Sequence, residues 1–255
     1  MHVLRPDYDC GGGMSTADRP PACQGGPTGK GCGPAIDEGV HALVLDFDGT
    51  LADTSRGHED ALRAALLPYN VALDPTWYRQ NIGLSIHDLL AVLPGGRTLP
   101  HDEIIQRSRA HLLASVHTIT PISCVVALLD RARRVGLPCA VASGASRRLV
   151  GPGLDALGMR DAFAAIVTRE DVTFGKPHPE LFLTAARHLG IAPERCLAVD
   201  DAPDGIASAR TAGMRLLTVI DAHLAPVGEE TEPRSALPDE TSPGGPGPAP
   251  AGITT

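Results

Sequence analysis

Short, nearly continuous apolar runs alternate along the middle of the chain with segments whose apolar residues recur every three or four positions. The runs are Ala42-Leu43-Val44-Leu45-Asp46-Phe47-Asp48, Cys139-Ala140-Val141-Ala142-Ser143, Ala164-Ala165-Ile166-Val167-Thr168, Cys196-Leu197-Ala198-Val199-Asp200 and Leu216-Leu217-Thr218-Val219. Apolar on both faces and separated by helix-length segments, they predict buried parallel strands. Helical periodicity covers residues 122–135, 146–157, 179–189 and 204–212, and the last three follow the second, third and fourth strands. The order β-α-β-α-β-α-β predicts an α/β fold with a doubly wound parallel sheet and right-handed crossovers. Ligands bind such sheets at the carboxyl ends of the strands.

The stretch after the first strand differs. About 70 residues, 54–121, carry only helical patterns (59–67, 86–92 and 103–117). A helical insert over the ligand-binding edge, acting as a lid or cap, is the expectation. Residues 1–38 and 226–255 are rich in Gly, Pro and small polar residues, the latter with a cluster of acids. Such compositions bury too little apolar surface to offset ordering entropy, so both are expected to be disordered tails. The expected division is therefore a core from 39–53 and 122–225 and a cap from 54–121.

Charge and composition narrow the function. A formal net charge of −8 opposes a nucleic-acid partner and a polybasic membrane anchor. No apolar run of spanning length occurs, and the first residues lack the apolar stretch of a signal peptide. The expectation is a cytoplasmic protein without nucleic-acid or membrane partners, with monomer as the default state. Aromatic residues make up only 3% of the chain, so Leu, Val, Ile and Ala must build the core. Cys124, Cys139 and Cys196 lie in apolar contexts that predict buried, reduced thiols. Cys10, Cys23 and Cys32 lack zinc-type spacing and predict neither a metal site nor a disulfide framework. The Gly25-Gly26-Pro27-Thr28-Gly29-Lys30-Gly31 stretch is one residue short of a P-loop, has no hydroxyl after its lysine and follows no strand.

Lysine usage is more informative. Of 22 basic residues only Lys30 and Lys176 are lysines. A lysine kept where arginine was the easy substitute suits a compact point charge at a small anion. Lys176 follows the third strand in Gly175-Lys176-Pro177. The first strand ends in Asp46-Phe47-Asp48-Gly49-Thr50, the second in Ser143-Gly144, and the fourth in Asp200-Asp201, with Asp204 just beyond. Strand order thus brings several acids, one hydroxyl and one lysine to a single sheet edge. Buried acids in that number cost solvation free energy unless cations join them. The oxygen donors suit Mg²⁺, and the hydroxyl and lysine suit a phosphate.

This constellation resembles the haloacid dehalogenase superfamily, motif by motif and in order. Asp46-Phe47-Asp48-Gly49-Thr50 is similar to its DxDGT motif, Ser143 to its Ser/Thr motif, Lys176 to its lysine motif and Asp200-Asp201 to its acidic pair. The likeness spans about residues 41–221. The long interval before Ser143 leaves room for a cap, whereas the interval from Ser143 to Lys176 does not. Within the superfamily, Gly175-Lys176-Pro177-His178-Pro179 and Asp200-Asp201-Ala202-Pro203-Asp204-Gly205 are most similar to the β-phosphoglucomutase and fructose-1-phosphatase-like group.

The resemblance implies a Rossmann-like core and a division of labour among these residues. Asp46 would be the nucleophile and Asp48 the general acid and base. Mg²⁺ would be held by Asp46, the Asp48 backbone carbonyl and Asp201, with Asp200 beside them. Ser143, Gly144 and Lys176 would grip the phosphoryl group, and Thr50 would position Asp48. His58, five residues after Asp53, resembles a substrate-contacting cap-entry histidine, with a solvated surface histidine as the alternative. Ser146 is the better helix cap than Ser143, and Asp204 reads equally as a cap or a group behind the metal. Arg79, Asn81, Ser85 and His87, around the Gly83-Leu84-Ser85 turn, read as surface residues or as substrate contacts.

Among the reactions of this scaffold, dehalogenation is disfavoured by Asp48, and Schiff-base phosphonate cleavage by a cap without lysine. Mutases of the resembled group carry an arginine after the cap Gly-x-Ser turn, where this chain has Ile86. The expectation is an Mg²⁺-dependent phosphatase for a small phosphate ester such as a sugar phosphate. A phosphosugar mutase and a catalytically silent sugar-phosphate sensor are the alternatives.

Overall fold

The structure is a computed structural model that describes residues 36–81, 84 and 86–227. The Gly25–Gly31 segment, Cys10, Cys23, Cys32, Gly83, Ser85 and nearly all of both predicted tails lie outside the described residues.

Every residue of β1 (Ala42–Leu45), β4 (Cys139–Ala142) and β6 (Cys196–Val199) is buried. That is why their sequences are apolar without alternation: both faces are covered. β5 (Ala165–Val167), β7 (Arg215–Ile220) and β8 (His223–Pro226) complete a six-stranded sheet of order β5-β4-β1-β6-β7-β8, parallel except for β8. Leu43, Leu45, Val141 and Val199 face one side, with α5 (Ser123–Arg134) and α6 (Arg147–Ala156). Ala42, Val44, Ala140 and Ala198 face the other, with α7 (Glu180–Leu189) and α8 (Pro203–Thr211). Alternation along the strand thus assigns successive side chains to opposite helix layers.

The chain leaves this sheet through a two-stranded neck, β2 (Ala52–Asp53) paired antiparallel with β3 (Thr120–Pro121). Between them lie α1 (Ser55–Leu66), α2 (Pro75–Gln80), α3 (Ile86–Val92) and α4 (His101–Ala114). These helices bury a core of their own, including Leu62, Leu66, Leu73, Leu89, Leu90, Ile104 and Ile105. The hydrophobic pattern carries no signal of the neck pair or of α2. Two-residue strands carry no period, and α2 announces itself only by its end: Asp74 accepts from the Trp77 N–H at 2.7 Å, and Pro75 opens the helix.

β8 is a further element without a sequence signal. It folds back from β7 through Asp221 and Ala222, both at positive φ (49° and 59°), in a turn that more often uses Asn-Gly. Cys124, Cys139 and Cys196 are buried thiols, as their contexts predict. No helix among the described residues is long and apolar enough to cross a membrane.

Candidate active site

Parallel register builds the site. Leu45 lies opposite Val141 of β4 and Val199 of β6, so the residues following all three strands emerge at one edge. The Asp46 N–H donates to the Val199 carbonyl at 2.9 Å, which ties the end of β1 to the start of the acidic pair. After Asp48 the chain reverses through Gly49 at φ +77°, with the Leu51 and Ala52 N–H groups both donating to the Phe47 carbonyl. Glycine is required at 49 twice over: for that backbone conformation, and because a Cβ there would run into the Asp201 carboxylate. Gly205 in α8 has the same relation to Asp200, whose carboxylate occupies the space of the missing Cβ.

At the centre, the Lys176 ammonium donates to Asp46 Oδ1 at 2.5 Å and to Asp200 Oδ2 at 2.6 Å. Asp46 and Asp200 are buried, and the same ammonium stands 5.2 Å from the centroid of the Phe182 ring. Burial opposes the charge on Lys176, but Asp200 and Asp46 outweigh it and raise the group above the ordinary lysine range. Burial pushes the Asp46 carboxyl well up; Lys176 opposes this, and the charges of Asp200, Asp201 and Asp48 reinforce it. Asp201 is pushed up to about 6 by burial and by Asp200, with Thr50 pulling the other way.

One hydroxyl sorts differently from expectation. Thr50 donates to Asp201 Oδ1 at 2.7 Å, so its bond goes to the acidic pair rather than to Asp48. The turn at Gly49 folds residue 50 back toward β6, which no spacing argument reveals. A hydrogen bond with Thr54 and the His58 ring meet Asp48 instead, with His58 Nε2 3.0 Å from Asp48 Oδ1. Burial raises Asp48, but the His58 bond and charge and the Thr54 bond overcome it and leave the carboxyl below its ordinary value. Burial lowers His58, and Asp48 more than restores it, so the imidazole sits above its ordinary value.

Ser143 is buried at the end of β4, its Oγ accepting from the Ala145 N–H at 3.1 Å, and Gly144 has open space where a Cβ would be. Ser146 caps α6 by accepting from the Arg148 N–H. Asp204 lies in the first turn of α8 behind the capping position, which Ala202 occupies; the Ala202 N–H donates to Asp200 Oδ1. Arg79 and Asn81 bond within α2, to Thr76 and to the Trp77 carbonyl, and His87 is exposed. Three site features escaped the sequence: the Thr54–Asp48 bond, the Phe182 ring beside Lys176, and the two glycines that make room for carboxylates. The glycines alone had a signal, in Asp-Gly and Asp-x-x-x-x-Gly spacings.

Asp46, Asp200 and Asp201 each offer a carboxylate oxygen, all within 4.8 Å of one another. With Asp48 beside them, four acids face one ammonium and one imidazole. An oxygen-only donor set with surplus negative charge, two of whose members, Asp46 and Asp201, already resist ionisation, fits a hard divalent cation such as Mg²⁺.

Comparison with known proteins agrees with this geometry. The haloacid dehalogenase-like hydrolase family matches residues 40–213. The chain is 31% identical to the fructose-1-phosphate phosphatase YqaB of Escherichia coli, over 69% of this chain and 95% of that one. It is 28% identical to the β-phosphoglucomutase of Bacillus subtilis, over 69% and 81% respectively. The crystal structure of CbbY from Rhodobacter sphaeroides in complex with phosphate superposes with a TM-score of 0.64 at 26% identity, over 71% of this chain and 86% of that one. The chain belongs to the haloacid dehalogenase-like hydrolase family, with an α/β core and an inserted helical cap.

Proposed function

We propose that the protein is an Mg²⁺-dependent phosphatase that hydrolyses a small phosphomonoester, such as a sugar phosphate, through an aspartyl-phosphate. The observation that carries the reading is the Lys176 ammonium fixed between Asp46 and Asp200 at the carboxyl edge of the sheet. In this reading residues 39–53 and 122–225 form the catalytic core and residues 54–121 the cap.

The phosphoryl group enters facing Asp46. Lys176, the Ser143 hydroxyl and the Gly144 N–H bind its non-bridging oxygens, where charge spreads in the transition state. An Asp46 carboxylate oxygen bonds to phosphorus as the bond to the ester oxygen breaks, leaving an aspartyl-phosphate and an alkoxide. The anionic phosphoryl group facing Asp48 disfavours its charged form, so Asp48 enters this step protonated and gives the alkoxide its proton. It then takes a proton from water, whose oxygen attacks phosphorus, releases inorganic phosphate and restores Asp46. Asp46, the Asp48 carbonyl and Asp201, with Asp200 beside them, would hold Mg²⁺, which offsets repulsion between anionic nucleophile and anionic substrate. His58 keeps the Asp48 carboxyl group aimed from the cap side.

The test is phosphate release from a panel of phosphomonoesters with Mg²⁺ and with EDTA. Release from sugar phosphates that stops in EDTA supports the phosphatase. Isomerisation of a sugar phosphate in the presence of its bisphosphate, without net release, would replace the reading with a mutase. Silence in both assays would favour a sensor.

A further inference from the structure

Lys176 sits in the segment between the end of β5 and the start of α7. Thr168 at its start is buried and Val172 packs against the core, but the stretch from Thr173 to Gly175 that leads into the lysine is not anchored by buried side chains. Phe174, its large apolar residue, is 58% exposed. Polar side chains hold it instead. Glu180, the first residue of α7, reaches back over the segment: Oε1 accepts from the Thr173 N–H at 3.1 Å and Oε2 from the Phe174 N–H at 2.8 Å. From the other side Arg169 donates to the Val172 carbonyl at 3.0 Å and to the Thr173 carbonyl at 3.3 Å. The same guanidinium lies against Gly175, where a Cβ would stand 3.2 Å from Nε. Past the lysine, Ser208 of α8 donates to the His178 carbonyl at 2.7 Å.

We propose that Glu180 and Arg169 are positioning residues that clamp the 172–175 backbone and so hold the Lys176 ammonium at the reacting edge. The clamp rests on the reading of Lys176 as the phosphoryl grip. Glu180 can act this way because α7 is itself fixed: Leu181 and Phe182 are buried against the sheet, and Phe182 also backs the lysine. The Phe174 and Thr173 N–H groups hold the Glu180 carboxyl below its ordinary value, as paired donors on a carboxylate do. A displacement of about 1 Å at a group that meets the transition state costs roughly a hundredfold in rate, so a loop without its clamp loses activity while the fold stands.

The test uses the full chain and two readouts. Lysine-selective ¹⁵N labelling marks only Lys30 and Lys176, so the ammonium signal of Lys176 can be followed without crowding. Phosphate release with Mg²⁺ gives kcat and KM. Glu180→Gln keeps the size of the side chain but sets an NH₂ against one backbone N–H. We expect kcat to fall about tenfold or more, with the melting temperature nearly unchanged and the Lys176 signal broadened or shifted. Glu180→Asp, charged but too short to reach both donors, is not expected to rescue the rate. In a Lys176→Met background Glu180→Gln is expected to cost nothing further, because the residue acts through the lysine.

Full kcat with an unmoved Lys176 signal in Glu180→Gln would overturn the clamp, as would a lower melting temperature with no other change. If Glu180→Gln does not fold, Arg169→Met carries the same expectations from the opposite side of the loop. Full phosphate release by Lys176→Met would overturn the phosphatase assignment of that lysine, and the ammonium signal would still decide whether Glu180 positions it.

Discussion

The sheet edge and the cap are built from the same apolar residue types but hold their polar groups in opposite ways. At the sheet edge Asp46, Thr50, Ser143 and Asp200 are buried, and each is partnered by a neighbouring strand, loop or glycine-made space. Among the described residues of the cap the buried set is apolar apart from Thr54 and Ser108, and Thr54 and His58 are the side chains that reach across to Asp48. Strand ends cannot shift without breaking the sheet ladder, so groups that must meet phosphorus belong there. Helices packed on their own small core can move as a unit over the edge, which suits selection and exclusion of water.

The Asp48–His58 contact joins the two regions, and its two sides should be unequal. Asp48→Ala is expected to lower kcat by on the order of 10³, and His58→Ala by only about tenfold, measured as phosphate release. Equal losses would move part of the proton chemistry into the cap. A second expectation concerns independence. Leu90→Ala empties part of the cap core and should cost about 2–5 kcal/mol. Hydrogen exchange is expected to accelerate in α1–α4 while β1, β4 and β6 keep their protection. Loss of protection in both regions together would make the cap and core one cooperative unit.

A matched pair of glycines probes the same contrast more finely. Gly205→Ala drives a methyl into the Asp200 carboxylate and should destabilise by about 1–3 kcal/mol and reduce activity. Gly57→Ala in α1 meets only a Leu112 methyl at 3.7 Å, and should stabilise by up to about 1 kcal/mol through helix propensity. Denaturant midpoints of the two variants read the difference.

A further effect is alkaline. Burial, with the charge of Glu59, pushes the Tyr78 hydroxyl from its ordinary 10.0 up to about 12. Its folded value is raised, so its contribution is complete below pH 10 and is lost as pH climbs toward 12. Tyr78→Phe should therefore flatten part of the fall in stability across that window, followed by thermal melts. In the core the equivalent loss comes from thiols: burial pushes Cys139 and Cys196 from 9.0 up to about 11.

These regions also differ in how much the sequence disclosed. The parallel strands were readable because burial on both faces leaves no polar position in β1, β4 or β6, and the acids stand immediately after the apolar runs. Order along the chain then sufficed to bring Asp46, Ser143, Lys176 and Asp200 to one edge. The partner of Thr50 was not readable, because it depends on how the turn at Gly49 folds back rather than on spacing. Nor were the neck strands, α2 or the β7–β8 hairpin, which are too short or too irregular to carry a period. In the cap, periodicity marked three of the helices but not which residue faces the acids, since that depends on how the cap sits on the neck.

The most direct measurement is an acid-quenched single turnover with a phosphomonoester substrate, followed by mass spectrometry of the peptide that contains residues 46–48. A phosphoryl group on Asp46 that appears and decays within the turnover, and is absent in Asp46→Asn, is the predicted result. Phosphate release without any labelled Asp46, or release undiminished in Asp46→Asn, would contradict the assignment of this sheet edge as the seat of the chemistry.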